Sequence, residues 1–245
     1  MENFEKESCL QLSLPKILML SFTPGLVVLF TAIFFLSPFY GIQLSYPMAG
    51  VLAMIIGHVG TELGILKFIA AKENKKIKDI IQFKNKTPLL KLLIFSIIPI
   101  FIALIVLLIV PQYEEKLWKT LKIFDFMPDW IKMDNINISE IKYFYLIYPI
   151  YFLLDGLIVP IIEELYFRGY LLPRMEMFGK IAPLVNAIIF SMYHLFSPDQ
   201  NITRILFLIP MVYSVWINRN IKIGIIFHCT MNVVAHIFVI STIIL

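Results

Sequence analysis

The chain has 245 residues, 59% of them hydrophobic and 16% charged, with a formal net charge of +4 and a mean hydropathy of +0.83. Soluble domains sit near 45–50% apolar and about 25% charged, so this balance excludes an ordinary water-soluble globule. The excess lysines lie mostly in loops, so the charge informs topology and makes no case for nucleic-acid binding. The only cysteines, Cys9 and Cys229, stand far apart, which leaves no disulfide framework and no cysteine metal site.

The start, Met1 to Ser8, mixes acids with one lysine and lacks a basic n-region and a small-residue cleavage site. The first apolar run therefore reads as a retained span. A bilayer core of roughly 30 Å takes about 20 apolar residues per helix. Seven segments fit that reading: Leu14–Leu36, Pro47–Ala70, Leu89–Val110, Tyr143–Phe167, Ile181–Phe196, Ile202–Ile217 and Ile221–Ile240. Prolines fall near many of the ends (Pro15, Pro38, Pro47, Pro88, Pro111, Pro198), where helices start or stop. Lipid offers no hydrogen bonds, so all seven are expected to be helices. The expected fold is all-α: a polytopic transmembrane helix bundle of about seven spans, forming a single integral-membrane domain over residues 1–245.

Orientation follows from the basic residues. The stretch Ala71–Lys91 contains Lys72, Lys75, Lys76, Lys78, Lys84, Lys86 and Lys91, whereas Ser37–Tyr46 carries no charge. Placing the lysine-rich loop in the cytoplasm puts the N-terminus, Arg168, Arg174, Lys180, Arg219 and Lys222 there too. Pro111–Lys142 and the C-terminus then lie outside. Within that outer segment, Glu114–Ile131 carries Trp118, Phe124, Phe126 and Trp130. It reads either as an interfacial amphipathic helix or as a loop anchored by tryptophans.

Ionisable groups inside spans are expensive and usually face a bundle interior. In the second span His58 and Glu62 are i and i+4, beside Gly57, Gly60 and Gly64. They read as a packed, mutually satisfied contact in preference to a second active site or ion path. Gly60-x-x-x-Gly64 suggests close helix approach. In the fourth span Glu164 and Arg168 share a helix face and can pair. Glu163 is turned about 100° away, so one carboxylate is held by arginine and the other is free to serve as a general base. The fifth span ends in Phe190-Ser191-Met192-Tyr193-His194, and the seventh carries His228 and Asn232, again i and i+4. Each alone reads as well as a packing contact or a helix end.

Depth separates the readings. Glu163 and His194 lie nearly symmetrically about Phe178-Gly179, so at a rise near 1.5 Å per residue both return to similar depth. His228 lies about two to three turns in from the turn at Asn218–Asn220. Three helices are thus expected to present Glu163, His194 and His228 to one cavity, open toward the cytoplasm. Asp155 is expected to line it too, and His236 to sit near the outer interface.

Glu163-Glu164-x-x-x-Arg168, Phe190-x-x-x-His194 and His228-x-x-x-Asn232, in that order and each in a span, resemble the CPBP intramembrane protease family. That family groups the type II CAAX prenyl endopeptidases with bacterial bacteriocin-processing and immunity proteins. Phe167-Arg168-Gly169 also resembles it, and no position of the three motifs departs from the pattern. The resemblance covers about Tyr143–Asn232, with the protease-like core at about 143–235; the first three spans carry no motif.

The resemblance implies peptide-bond hydrolysis in or near the membrane. Glu163 would activate water, with His194 holding it. His228 and Asn232 would donate to the oxyanion, and Glu164 and Arg168 would support the site. Zinc held by Glu163, His194 and His228 is the alternative, with water in the fourth position. His-Glu-x-x-His is absent, so the reading leans to metal-free glutamate catalysis. The implied partners are the lipid bilayer and a membrane-bound peptide or protein substrate. A non-catalytic binding or immunity protein of the same family is the competing function. A transporter would predict internal repeats, and none is seen.

Overall fold

The computed structural model describes residues 10–37, 44, 46–122 and 141–244. Five of the described helices are long and apolar enough to cross a membrane: Leu14–Leu36, Met48–Lys72, Leu89–Leu121, Leu146–Arg174 and Pro198–Asn218. The last helix, Lys222–Ile244, has 23 residues. Large apolar side chains cover the outside. Phe101 and Leu108 of the third span are 64% and 80% exposed, an arrangement that water penalises and lipid does not. The chain is an all-α membrane bundle.

Two expected spans come out differently. The segment Ile181–Phe196 is α-helical only over Ala182–Tyr193, 12 residues. That is a rise of about 18 Å, short of a core of roughly 30 Å. The chain leaves helical geometry at His194, with φ −73° and ψ 60°, and resumes a turn at Pro198–Gln200. Irregular backbone survives at depth only where protein satisfies it. Here the buried Arg204 does so, reaching the Ser197 carbonyl at 3.4 Å, Ser197 Oγ at 2.8 Å and Asn201 Oδ1 at 3.1 Å.

The third span does not stop at Val110. It continues through Pro111 to Leu121, 33 residues in all. A proline forfeits one backbone bond, and tertiary contacts beyond it offset that loss. Glu114 accepts from the backbone N–H groups of Ile202 (2.7 Å) and Thr203 (2.8 Å), capping the helix Asn201–Asn218. Trp118 Nε1 donates to the Asp199 carbonyl at 2.8 Å. Phe124, Phe126 and Trp130 lie outside the described residues.

The first two spans cross at Gly57, where a Cβ would lie 2.8 Å from Val28 Cα and 2.9 Å from Val28 N. The expected contact at Gly60-x-x-x-Gly64 is not where neighbouring helices meet. A Cβ at Gly64 would meet nothing within 4 Å, and one at Gly60 only Ile55 of its own helix. Gly57→Ala is therefore expected to destabilise by about 1–3 kcal/mol through overpacking. Gly64→Ala should not destabilise comparably. Unfolding both variants in detergent checks this.

The lysine-rich loop folds back under the bundle. It carries a short helix, Ile77–Ile80, and buries Ile80, Ile81 and Phe83. Gln82 N–H donates to the Gly169 carbonyl (2.8 Å), Ile221 N–H to Phe83 (2.9 Å) and Asn85 N–H to Arg219 (3.0 Å). Backbone pairing of this kind ties the base of the fourth span to the turn before the last helix.

Candidate active site

The fourth span changes winding around its two acids. It is π-helical over Leu154–Ile158, α-helical over Val159–Glu163 and π-helical again over Glu164–Leu171. Such wide turns commonly mark functional positions. The second span is π-helical too, over Met54–Glu62, the stretch that holds His58.

Glu164 and Glu163 receive separate partners, as their angular offset requires. Glu164 Oε1 lies 3.1 Å from Arg168 Nη1 and accepts from His228 Nδ1 at 3.1 Å. Arg168 is fully buried, with its guanidinium 4.0 Å from the centre of the Phe190 ring. Among the described residues, none of its guanidinium N–H groups makes an aligned hydrogen bond, so the pair rests on charge proximity and stacking.

Glu163 is the point of convergence. Tyr193 Oη donates to its Oε1. His58 Nδ1 lies 3.5 Å and His194 Nε2 3.9 Å from Oε1, and His228 Nε2 lies 3.6 Å from Oε2. His194 Nδ1 is 2.8 Å from the Phe190 carbonyl. A carbonyl only accepts, so that nitrogen carries the proton and Nε2 turns a lone pair toward Glu163. The expected meeting of Glu163, His194 and His228 is therefore present. It arises although the path between the first two is broken by tight turns at Leu172–Arg174 and Glu176–Ile181.

Asn232 has a task in the fold. Val159 N–H is taken by the Leu154 carbonyl, and Pro160 has no N–H. The Asp155 carbonyl thus lacks a helical donor, and Asn232 Nδ2 supplies one at 2.7 Å. One of its two amide hydrogens is used this way. The Asp155 carboxylate binds His236 Nε2 at 2.9 Å, and His236 Nδ1 lies 2.8 Å from Tyr148 Oη. His236, expected at the outer interface, is buried as the middle of this chain.

Three participants were not assigned to this site from the sequence. His58 and Glu62 do touch, at 3.3 Å, but the same His58 Nδ1 also faces Glu163 and, at 3.3 Å, Tyr193 Oη. The pair expected to be self-satisfied belongs to the Glu163 site. Tyr193, adjacent to His194, was the third. Among the described residues, a trio whose donor atoms all lie within 4.8 Å of one another is His58, Glu62 and Glu163. It shares only Glu163 with the zinc set expected from the motifs.

On the side of the lysine-rich loop the fourth span is tightly packed. Tyr166, Phe167, Tyr170, Leu171 and Leu172 are at most 2% exposed and fill that side. His194 and His228 keep 14% and 11% of their side chains exposed, against 3% for Glu163. The two histidines are thus the more open neighbours of the carboxylate.

Comparison with known proteins adds one match. Residues 145–234 match the family model described as type II CAAX prenyl endopeptidase Rce1-like. No curated protein and no solved structure matches the chain. The matched stretch contains Glu163, Glu164, Arg168, His194, His228 and Asn232, whereas His58 and Glu62 lie outside it. Through residues 145–234 the chain thus matches the Rce1-like type II CAAX prenyl endopeptidase family, a family of membrane proteases, in agreement with the resemblance of its three motifs.

Proposed function

We propose that this protein is an intramembrane endopeptidase in which Glu163 activates the hydrolytic water. The observation that carries the reading is a buried carboxylate approached by histidines from three separate elements, beside a second carboxylate already neutralised by Arg168. Glu163 removes a proton from water as the water oxygen attacks the scissile carbonyl, and returns it to the leaving amine. His194, through its Nε2 lone pair, orients the water. The second amide hydrogen of Asn232 and, in the doubly protonated form, His228 Nε2 donate to the oxyanion. Glu164 holds His228 by its Nδ1–H, and Arg168 holds Glu164.

The protease core spans about 143–235 within a single integral-membrane domain. The substrate is a membrane-associated peptide or protein, and the lysine-rich loop and N-terminus face the cytoplasm of a cell membrane. The test is incubation of the protein in liposomes with prenylated and unprenylated C-terminal peptides in 18O water. A single internal cut with one heavy oxygen in the new carboxylate is expected. Peptides bound but never cut would replace this reading with the binding or immunity function.

A further inference from the structure

The second span brings to the site a histidine and a carboxylate that the proteolytic scheme does not use. His58 is 4% exposed and Glu62 is fully buried. A single nitrogen, His58 Nδ1, faces three oxygens: Glu62 Oε1 at 3.3 Å, Tyr193 Oη at 3.3 Å and Glu163 Oε1 at 3.5 Å. One N–H serves one acceptor, so two buried carboxylates share one imidazole donor. Among the described residues, the second oxygen of Glu62 has no hydrogen-bond partner. Arg168, the nearby guanidinium, is committed to Glu164. Buried charge of this kind needs a counter-charge.

The spacing says which kind. Charge-assisted hydrogen bonds close to about 2.7–2.9 Å, and these contacts are longer. A tetrahedral zinc with bonds of about 2.0–2.1 Å to nitrogen and oxygen holds its ligands about 3.3–3.4 Å apart. The two His58–carboxylate separations, 3.3 and 3.5 Å, fall at about that edge length, and all three donor atoms lie within 4.8 Å of one another. The donor set of one imidazole and two carboxylates suits zinc and its neighbours in the first transition row. His194 faces Glu163 Oε1 with Nε2, its Nδ1–H anchored on a backbone carbonyl, and so borders the position left for water.

We propose that His58, Glu62 and Glu163 form a binding site for one transition-metal dication, with zinc the ion to test first. Residues 145–234 supply only Glu163, so two of the three ligands come from a span outside the matched stretch. When bound through Glu163 Oε1, the ion would act as a Lewis acid beside the water, leaving Oε2, which faces His228, to take the proton. The proposal does not rest on the protease reading, and its test needs no substrate.

Chelator-stripped protein in detergent is titrated with zinc against a competing chelator, and the loaded protein is studied by zinc X-ray absorption. One zinc per chain is expected, with a single imidazole in the ligand shell. His58→Gln and Glu62→Gln should each weaken binding by about 100-fold or more, at least the effect of losing an outer-shell partner, whereas His228→Gln should retain it. The wild-type imidazole count decides the assignment even if a variant does not fold. No stoichiometric binding, or two imidazoles in the shell, overturns the proposal. So does binding that survives both second-span substitutions in folded protein. A proton shared by Glu62 and Glu163 would then be the counter-charge.

Discussion

Arg168→Met is expected to lower the stability of the folded protein by about 3–5 kcal/mol, the usual consequence of removing one partner of a buried ion pair. Arg168 and Glu164 are both fully buried and lie 3.1 Å apart. Methionine fills much of the space over Phe190, so the loss is chiefly electrostatic: Glu164 keeps His228 but loses its fixed cation. Arg168→Lys should rescue only part, because an ammonium does not reproduce the planar stack on Phe190. The double variant Glu164→Gln/Arg168→Met should recover much of the loss, since neither charge is left alone. Denaturation in mixed micelles measures all three. An Arg168→Met protein within about 1 kcal/mol of the wild type would show that the pair does not hold the site together.

Glu163→Gln is expected to lower kcat by about 10²–10⁴-fold, the range for removing a positioned general base, with KM little changed. Glutamine keeps the shape and can still accept the Tyr193 hydrogen bond through its amide oxygen. It cannot take a proton from water. The folded state should survive, because the substitution removes a buried charge without opening a cavity. Kinetics on any peptide that the wild-type protein cuts would decide the point. Cleavage at an unchanged rate would remove Glu163 from the reaction, and a rise in KM alone would make it a binding residue.

The two expectations differ in how far the sequence reaches. Glu164 and Arg168 are four residues apart, so helical geometry alone predicts their contact. Their partner His228 comes from 64 residues away, and only its ordered motif and its depth in the last span pointed to it. Depth arithmetic worked for Glu163 and His194 because distance along the membrane normal depends mainly on residue count. The same arithmetic counts residues and does not see that the lysine-rich loop returns to bury Ile80, Ile81 and Phe83 beneath the fourth span. Hydropathy likewise merged Ala182–Tyr193 with the residues after it. It records apolarity and cannot record that Arg204 satisfies an irregular backbone there.

By itself, the sequence determined that the chain is a helical membrane bundle, that Glu164 pairs with Arg168, and which motif residues could meet. Those conclusions rest on composition and on spacing within single helices, both local properties. Only the tertiary structure decided that His58 and Glu62 join Glu163, that Asn232 satisfies the Asp155 carbonyl, and that the lysine-rich loop packs under the fourth span. Those contacts depend on which helices cross and at what angle. The crossing is set by close approaches such as that of Gly57 to the Val28 backbone, and a linear pattern of apolar residues does not encode which helix will lie opposite a glycine.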